Sequence, residues 1–263
     1  MMSGALTRQR CIAVCGFVVA GLLTSSAIFA AAPEMGRLTI PSAAPAGPAN
    51  VGLQKLGGRN GLLYVPASYR VNEPLPLLIL LHGSRGTAPA WFSGGHPQAP
   101  GSYSTYADAG RFIILAPEAP SETWGVGPKS WGYDYVSINL AIEAAFARCA
   151  IDRNRLGICG FSDGASYALS LGLANGDLFG NVIAFSPGFI VRAKGRGRPL
   201  LFISHGTGDN GLPIAATSRI FAAGLRKNGY DVNFQEFGGG HTVPRAISDQ
   251  AMAWLTASFR QRR

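Results

Sequence analysis

The run Gly160-Phe161-Ser162-Asp163-Gly164 sets a serine between two glycines. The pattern G-x-S-x-G belongs to a sharp turn that thrusts the serine hydroxyl outward, with glycines where side chains would collide. A serine hydroxyl becomes a nucleophile only when a base takes its proton, and the base needs an acid to hold its tautomer. The chain has four histidines, His82, His96, His205 and His241, of which only the last two follow Ser162. His241 lies in Gly238-Gly239-Gly240-His241-Thr242, a flexible loop able to carry an imidazole to the serine, and is the expected base. The expected acid is Asp209, in His205-Gly206-Thr207-Gly208-Asp209. Asp177 falls too early and Glu236 lies inside a strand-like run. This chemistry is acyl transfer, whose tetrahedral oxyanion needs fixed donors. The backbone N–H of Asp163 is one expected donor. Ser84, in His82-Gly83-Ser84-Arg85-Gly86, supplies the other, with the N–H of Arg85 as second choice. His82 is expected to brace that turn, and the Asp163 side chain to face solvent near a helix N-terminus. Neither H-E-x-x-H nor paired-cysteine spacing occurs, so neither a metal nor a cofactor is expected.

Apolar strand-like runs and helical runs alternate along the chain. Leu77–Leu81, Phe112–Ala116, Leu156–Phe161, Val182–Phe185, Leu200–Ser204 and Val232–Phe237 read as strands. The stripe Ile138, Ala141, Ile142, Ala145 and Phe146 marks a helix from Val136 to Cys149. Further helices are expected at Ser162–Ala174, Ile214–Lys227 and Pro244–Ser258, and an early antiparallel strand at Gly61–Val65. Strands that alternate with helices give a mostly parallel sheet covered on both faces. Sites in such sheets form beyond the carboxyl ends of strands. The loops beginning at His82, Ser162, His205 and Gly238 all leave such ends.

Too few residues separate Phe185 from Leu200 for a large cap domain, so the pocket walls are expected from the loops at 84–104 and 117–135. Arg85, Trp91, Trp124 and Trp131 are the candidate substrate contacts, packing against the sheet being the alternative for each tryptophan. His96 lies in the first wall, as a surface loop histidine or, alternatively, a substrate contact.

Leu80-Leu81-His82-Gly83, the Ser162 pentapeptide, His205-Gly206-Thr207-Gly208-Asp209 and Gly240-His241 resemble the bacterial phospholipase/carboxylesterase group of α/β-hydrolases. They are also similar to polyhydroxybutyrate depolymerase-like and feruloyl esterase-like secreted esterases. The resemblance spans about Leu62 to Leu255. It implies an α/β-hydrolase fold and hydrolysis of carboxylic esters through an acyl-enzyme, without a metal. Related thioesterases often carry Gln after the nucleophile, where this chain has Asp163. A depolymerase or feruloyl esterase acting on polymer-derived esters is the variant reading. A noncatalytic binding protein on the same fold is the reading from another class, and a complete triad in the right order argues against it.

Arg8 and Arg10 precede an uncharged apolar run that ends in Ala30-Ala31-Ala32. This order reads as a secretory signal over residues 1–32, and export to the periplasm or medium of a bacterial-type cell is expected, with no membrane span left after cleavage. Residues 33–50, rich in Pro and Ala, read as a flexible linker, 51–259 as the catalytic domain and 260–263 as a basic tail. The formal charge is +9. No nucleic-acid motif accompanies it, so an ester substrate is the expected partner and nucleic acid is not. Arg192, Lys194, Arg196 and Arg198 form the dense basic run, read as a solvated loop or as a lure for anionic substrates near Ser162. Cys149 and Cys159 are expected as separate buried thiols, too far apart to bridge. The oligomeric state is not legible.

Overall fold

The structure, a computed structural model, describes residues 34–42, 49–57, 61–125, 127 and 130–262. The expected signal segment lies outside them. Eight strands form one sheet in the order β1-β2-β4-β3-β5-β6-β7-β8. They are β1 (Gly52–Lys55), β2 (Leu62–Val65), β3 (Leu75–Leu81), β4 (Ile113–Ala116), β5 (Ile151–Phe161), β6 (Phe179–Phe185), β7 (Leu200–Gly206) and β8 (Val232–Phe237). The two edge pairings, β1 with β2 and β2 with β4, are antiparallel, and the rest are parallel. The helices are α1 (Ala90–Ser93), α2 (Tyr103–Gly110), α3 (Asp134–Arg148), α4 (Asp163–Ala174), α5 (Ser218–Lys227) and α6 (Arg245–Gln261).

Every residue of β3, β4 and β6 is buried, as largely apolar strands require when helices cover both faces, and Asn181 in β6 is the polar exception. Alternate residues of β3 feed two cores. Leu77, Ile79 and Leu81 join the side packed by α3 and α4, and Leu78 and Leu80 join the side packed by α2 and α6. Cys149 caps α3 and Cys159 sits within β5; both are buried free thiols. Burial pushes the Cys149 thiol up to about 12, far from the thiolate a reactive cysteine needs.

The expected linker is in part docked. Leu38 is buried, and its N–H donates to Asn175 Oδ1 at 2.9 Å. Arg37 pairs with Asp177 at 2.9 Å and caps the Ala174 carbonyl at 2.8 Å. The folded body therefore begins by Glu34, because Leu38 and Arg37 find partners at the carboxyl end of α4. The expected tail is also structured: α6 continues to Gln261, and Arg262 donates to the Gly180 carbonyl at 3.2 Å. No helix of the described residues is long and apolar enough to cross a membrane.

Candidate active site

β5 ends at Phe161, and Ser162 adopts φ 58° and ψ −118° before α4 begins. That left-handed conformation costs a non-glycine residue about 1–3 kcal/mol and persists only where the surroundings enforce it. Here its N–H donates to the Phe185 carbonyl at 2.9 Å. A Cβ on Gly164 would strike the carbonyl oxygens of Leu81 and His82, so only glycine lets α4 approach β3 this closely.

Two neighbouring strand ends deliver the partners. The N–H groups of Thr207 and Gly208 donate to the carbonyls of Phe237 and Gly239 at 2.9 and 2.8 Å, clipping the loop after β7 to the loop after β8. His241 Nε2 lies 2.8 Å from Ser162 Oγ, and its Nδ1 lies 2.5 Å from Asp209 Oδ2. The His241 ring packs on Phe161 with centroids 4.9 Å apart. Asp209 is buried; Oδ1 accepts the N–H groups of Gly211 and Leu212 at 3.0 and 2.9 Å. Burial alone would raise the Asp209 carboxyl, but the bonds from Leu212 and His241 outweigh it and hold it below its ordinary range.

The structure thus brings Ser162, His241 and Asp209 into one row, and keeps the two rival acids away. Glu236 is exposed and forks onto Arg219 at 2.8 and 2.6 Å. Asp177 lies past the far end of α4, bound to Arg37.

In the turn after β3, the N–H groups of Gly83, Arg85 and Gly86 are taken by Gln98 Oε1, Glu122 O and Gly83 O. Arg85 is therefore unsuited to the oxyanion role considered for its N–H. Among the described residues, no acceptor meets the N–H of Ser84, which borders the pocket beside Ser162. His82 braces this turn from both nitrogens, with Nδ1 2.8 Å from the Gly83 carbonyl and Nε2 accepting the Ala119 N–H at 3.1 Å.

Three expectations need correction. Trp91, Trp124 and Trp131 are buried and do not line the pocket at Ser162. Trp91 stacks edge-on against Tyr103 at 4.8 Å, Trp124 Nε1 donates to the His82 carbonyl at 2.8 Å, and Trp131 covers Gly36. Large aromatic surface is worth more inside the fold than on a small pocket wall. The Asp163 side chain does not simply face water, because it accepts the Trp124 N–H at 2.8 Å and so ties the 117–135 loop to α4. Burial raises its carboxyl, and that bond only partly offsets the effect. Finally, the basic run lies far from the serine. Arg196 N–H reaches the Leu173 carbonyl, and the strand-like bridge Gly176–Gly197 holds the run at the carboxyl end of α4. That helix of 12 residues spans about 18 Å. The hollow beside the run is larger, about 530 Å³, but Ser162, Asp209 and His241 are all absent from its walls.

The pocket at Ser162 holds about 240 Å³ and is lined by Arg85, His96, Gln98, Phe161 and His241 among others. Arg85 is the one expected contact found there. His96, for which both a surface place and a substrate contact were open, and Gln98 line it because the Pro97 carbonyl accepts the Val243 N–H at 2.6 Å, drawing the 94–99 loop to the His241 loop. His205, also unassigned from sequence, lies behind Asp209 with Nε2 3.1 Å from Oδ2.

No protein-family model matches the chain. It is 27% identical over 196 residues to "Probable feruloyl esterase C" of Aspergillus terreus, covering 73% of this chain and 71% of that protein. The like-named protein of Aspergillus flavus is 28% identical over 164 residues, and the chain spans 59% of its length. Among solved structures, esterase PE8 superposes with a TM-score of 0.58 at 21% identity, covering 81% of this chain and all of that one. A CE1 ferulic acid esterase from Anaeromyces mucronatus superposes with a TM-score of 0.56 at 24% identity, covering 75% and 84%. The sheet order, the turn at Ser162 and these likenesses give the chain the α/β-hydrolase fold, which it shares with the esterases it resembles.

Proposed function

We propose that the chain hydrolyses carboxylic esters through an acyl-enzyme on Ser162. The observation that carries this reading is the hydrogen-bonded row Ser162–His241–Asp209, at 2.8 and 2.5 Å, across the ends of three parallel strands. Ser162 Oγ attacks the ester carbonyl carbon while its proton passes to His241 Nε2. The carbonyl oxygen becomes an oxyanion and takes the N–H groups of Ser84 and Asp163. As the oxyanion collapses, the alcohol leaves with the proton from His241. Water then attacks the acyl carbon, giving its proton to His241, and the acid departs as Ser162 recovers its hydrogen. Asp209 stays ionised throughout and steadies the imidazolium.

The pocket, about 240 Å³, falls below the roughly 300–1,000 Å³ of drug-sized sites, so it suits one acyl group with the alcohol left outside. Likeness over 196 residues to a probable feruloyl esterase favours a feruloyl ester as the substrate. The apolar run ahead of Pro33 favours export. Purified protein should cleave p-nitrophenyl acetate and methyl ferulate, and Ser162→Ala should cleave neither while keeping its melting temperature. Full turnover by the folded Ser162→Ala protein contradicts the reading; cleavage of acetate but not ferulate leaves an esterase of another specificity.

A further inference from the structure

His205 is fully buried at the end of β7 and takes no part in the proton route from Ser162. Both of its ring nitrogens are nonetheless engaged. Nε2 faces the Leu212 carbonyl at 2.8 Å and Asp209 Oδ2 at 3.1 Å, and Nδ1 faces Ser218 Oγ at 2.7 Å. A carbonyl and a carboxylate have no hydrogen to give, so Nε2 carries one, and in the neutral ring Nδ1 accepts from the Ser218 hydroxyl. Burial, the largest influence on it, also pushes its protonation to lower pH.

Asp209 Oδ2 consequently faces two imidazole N–H groups, that of His241 and that of His205, the latter shared with the nearer Leu212 carbonyl. Each donor on a carboxylate satisfies part of its charge, leaving less for any other partner. The remaining charged or titratable neighbours are few. Glu236 lies across from His205 on β8, neutralised by Arg219 of α5, and Arg85 and His96 border the pocket with His241. We propose that His205 is a positioning residue that shares Asp209 Oδ2 with His241, limits how tightly the carboxylate holds the protonated His241 ring, and so sets the lower pH bound of catalysis. This rests on the triad reading above.

The sign follows from the competition. Without the His205 donor, Asp209 holds the imidazolium more firmly, His241 keeps its proton to higher pH, and the neutral base is lost earlier on acidification. The test is the pH profile of kcat/KM on p-nitrophenyl acetate for the wild type, His205→Leu, His205→Gln and Ser218→Ala. The acidic limb of His205→Leu is expected to move up by roughly 0.4–1 pH unit, the span one hydrogen bond accounts for. His205→Gln keeps an N–H toward Asp209 and should return the limb to the wild-type position. Ser218→Ala loosens the ring and should shift the limb in the same direction by less; it carries the test where His205→Leu does not fold. A limb that stays fixed while kcat falls at every pH, or one that moves down, overturns the proposal and leaves His205 a packing residue. Activity that survives in Ser162→Ala instead overturns the triad reading on which the proposal stands.

Discussion

Asp209 has four protein donors on two oxygens, and its neighbours leave it little freedom to rotate or to take a proton. Replacing it by Asn presents an amide N–H or a weaker acceptor to His241 and favours the wrong tautomer. Asp209→Asn should therefore lower kcat by a factor on the order of 10³–10⁴, with KM little changed. Glu236→Gln should leave kcat as it is, since Glu236 is exposed and bound to Arg219; steady-state rates on one ester decide between the two. Ser162, Asp209 and His241 were legible because each stands in a short glycine-rich run at a strand end, a local signal. His205 was not. Its role depends on a ring turned inward onto Asp209 and Ser218, and the only hint in the chain was a histidine four residues before the acid. The Asp163 side chain was misjudged for a similar reason: its partner, the Trp124 N–H, arrives from a loop 39 residues earlier.

The elements that hold the site are packed backbone against backbone. Where α4 meets the end of β3, Gly164 faces the carbonyls of Leu81 and His82 with no room for a methyl group. Gly164→Ala should force α4 off the sheet, lowering stability by about 1–3 kcal/mol and activity more severely, because Ser162 and the Ser84 turn move apart. A melting curve and one rate measurement suffice; unchanged values in both would contradict the close approach. The strands and long helices were readable from periodicity, since β3, β4 and the Val182–Phe185 part of β6 are buried on both faces and read as apolar runs, whereas Asn181 hides the start of β6. Short edge strand β1 and helices α1 and α2 were not, because four to eight residues of mixed character carry little pattern. Sequence leaves two places open for the tryptophans of the two long loops, pocket wall or packing, and the structure takes packing for all three. Loop position argued for exposure, but Trp91, Trp124 and Trp131 fold back beneath those loops and anchor them.

Over the described residues, the dense basic run is set apart from the candidate site, which has Arg85 on its rim. Arg192, Lys194, Arg196 and Arg198 gather near the carboxyl end of α4, where the helix dipole favours cations, and Arg196 is paired with Glu34 at 2.7 Å. They lie along the carboxyl-terminal part of α4, outside the walls of the pocket at Ser162, and exposed charges are screened over roughly 8 Å at physiological salt. Neutralising all four should change kcat/KM for an anionic ester by less than about twofold at that salt; a large rise in KM would show that the run reaches the site after all. Stability should depend on pH through the groups behind the serine. The folded values of both His205 and Asp209 lie below their ordinary ones, 6.5 and 3.8, so the unfolded chain takes up protons first. Their contribution is complete above pH 6.5 and declines below it as His205 is titrated, then falls further below 3.8 through Asp209. Melting temperatures from pH 8 to 3 should follow that course, and a rise on acidification would contradict it. The central claim is that one serine, made nucleophilic by His241, carries the acyl group. Intact and peptide mass spectrometry after exposure to a fluorophosphonate tests it most directly. The account predicts a single adduct on Ser162 in the wild type and none in Ser162→Ala or His241→Ala on the same timescale. An unlabelled wild type, or an adduct that persists in Ser162→Ala, contradicts it.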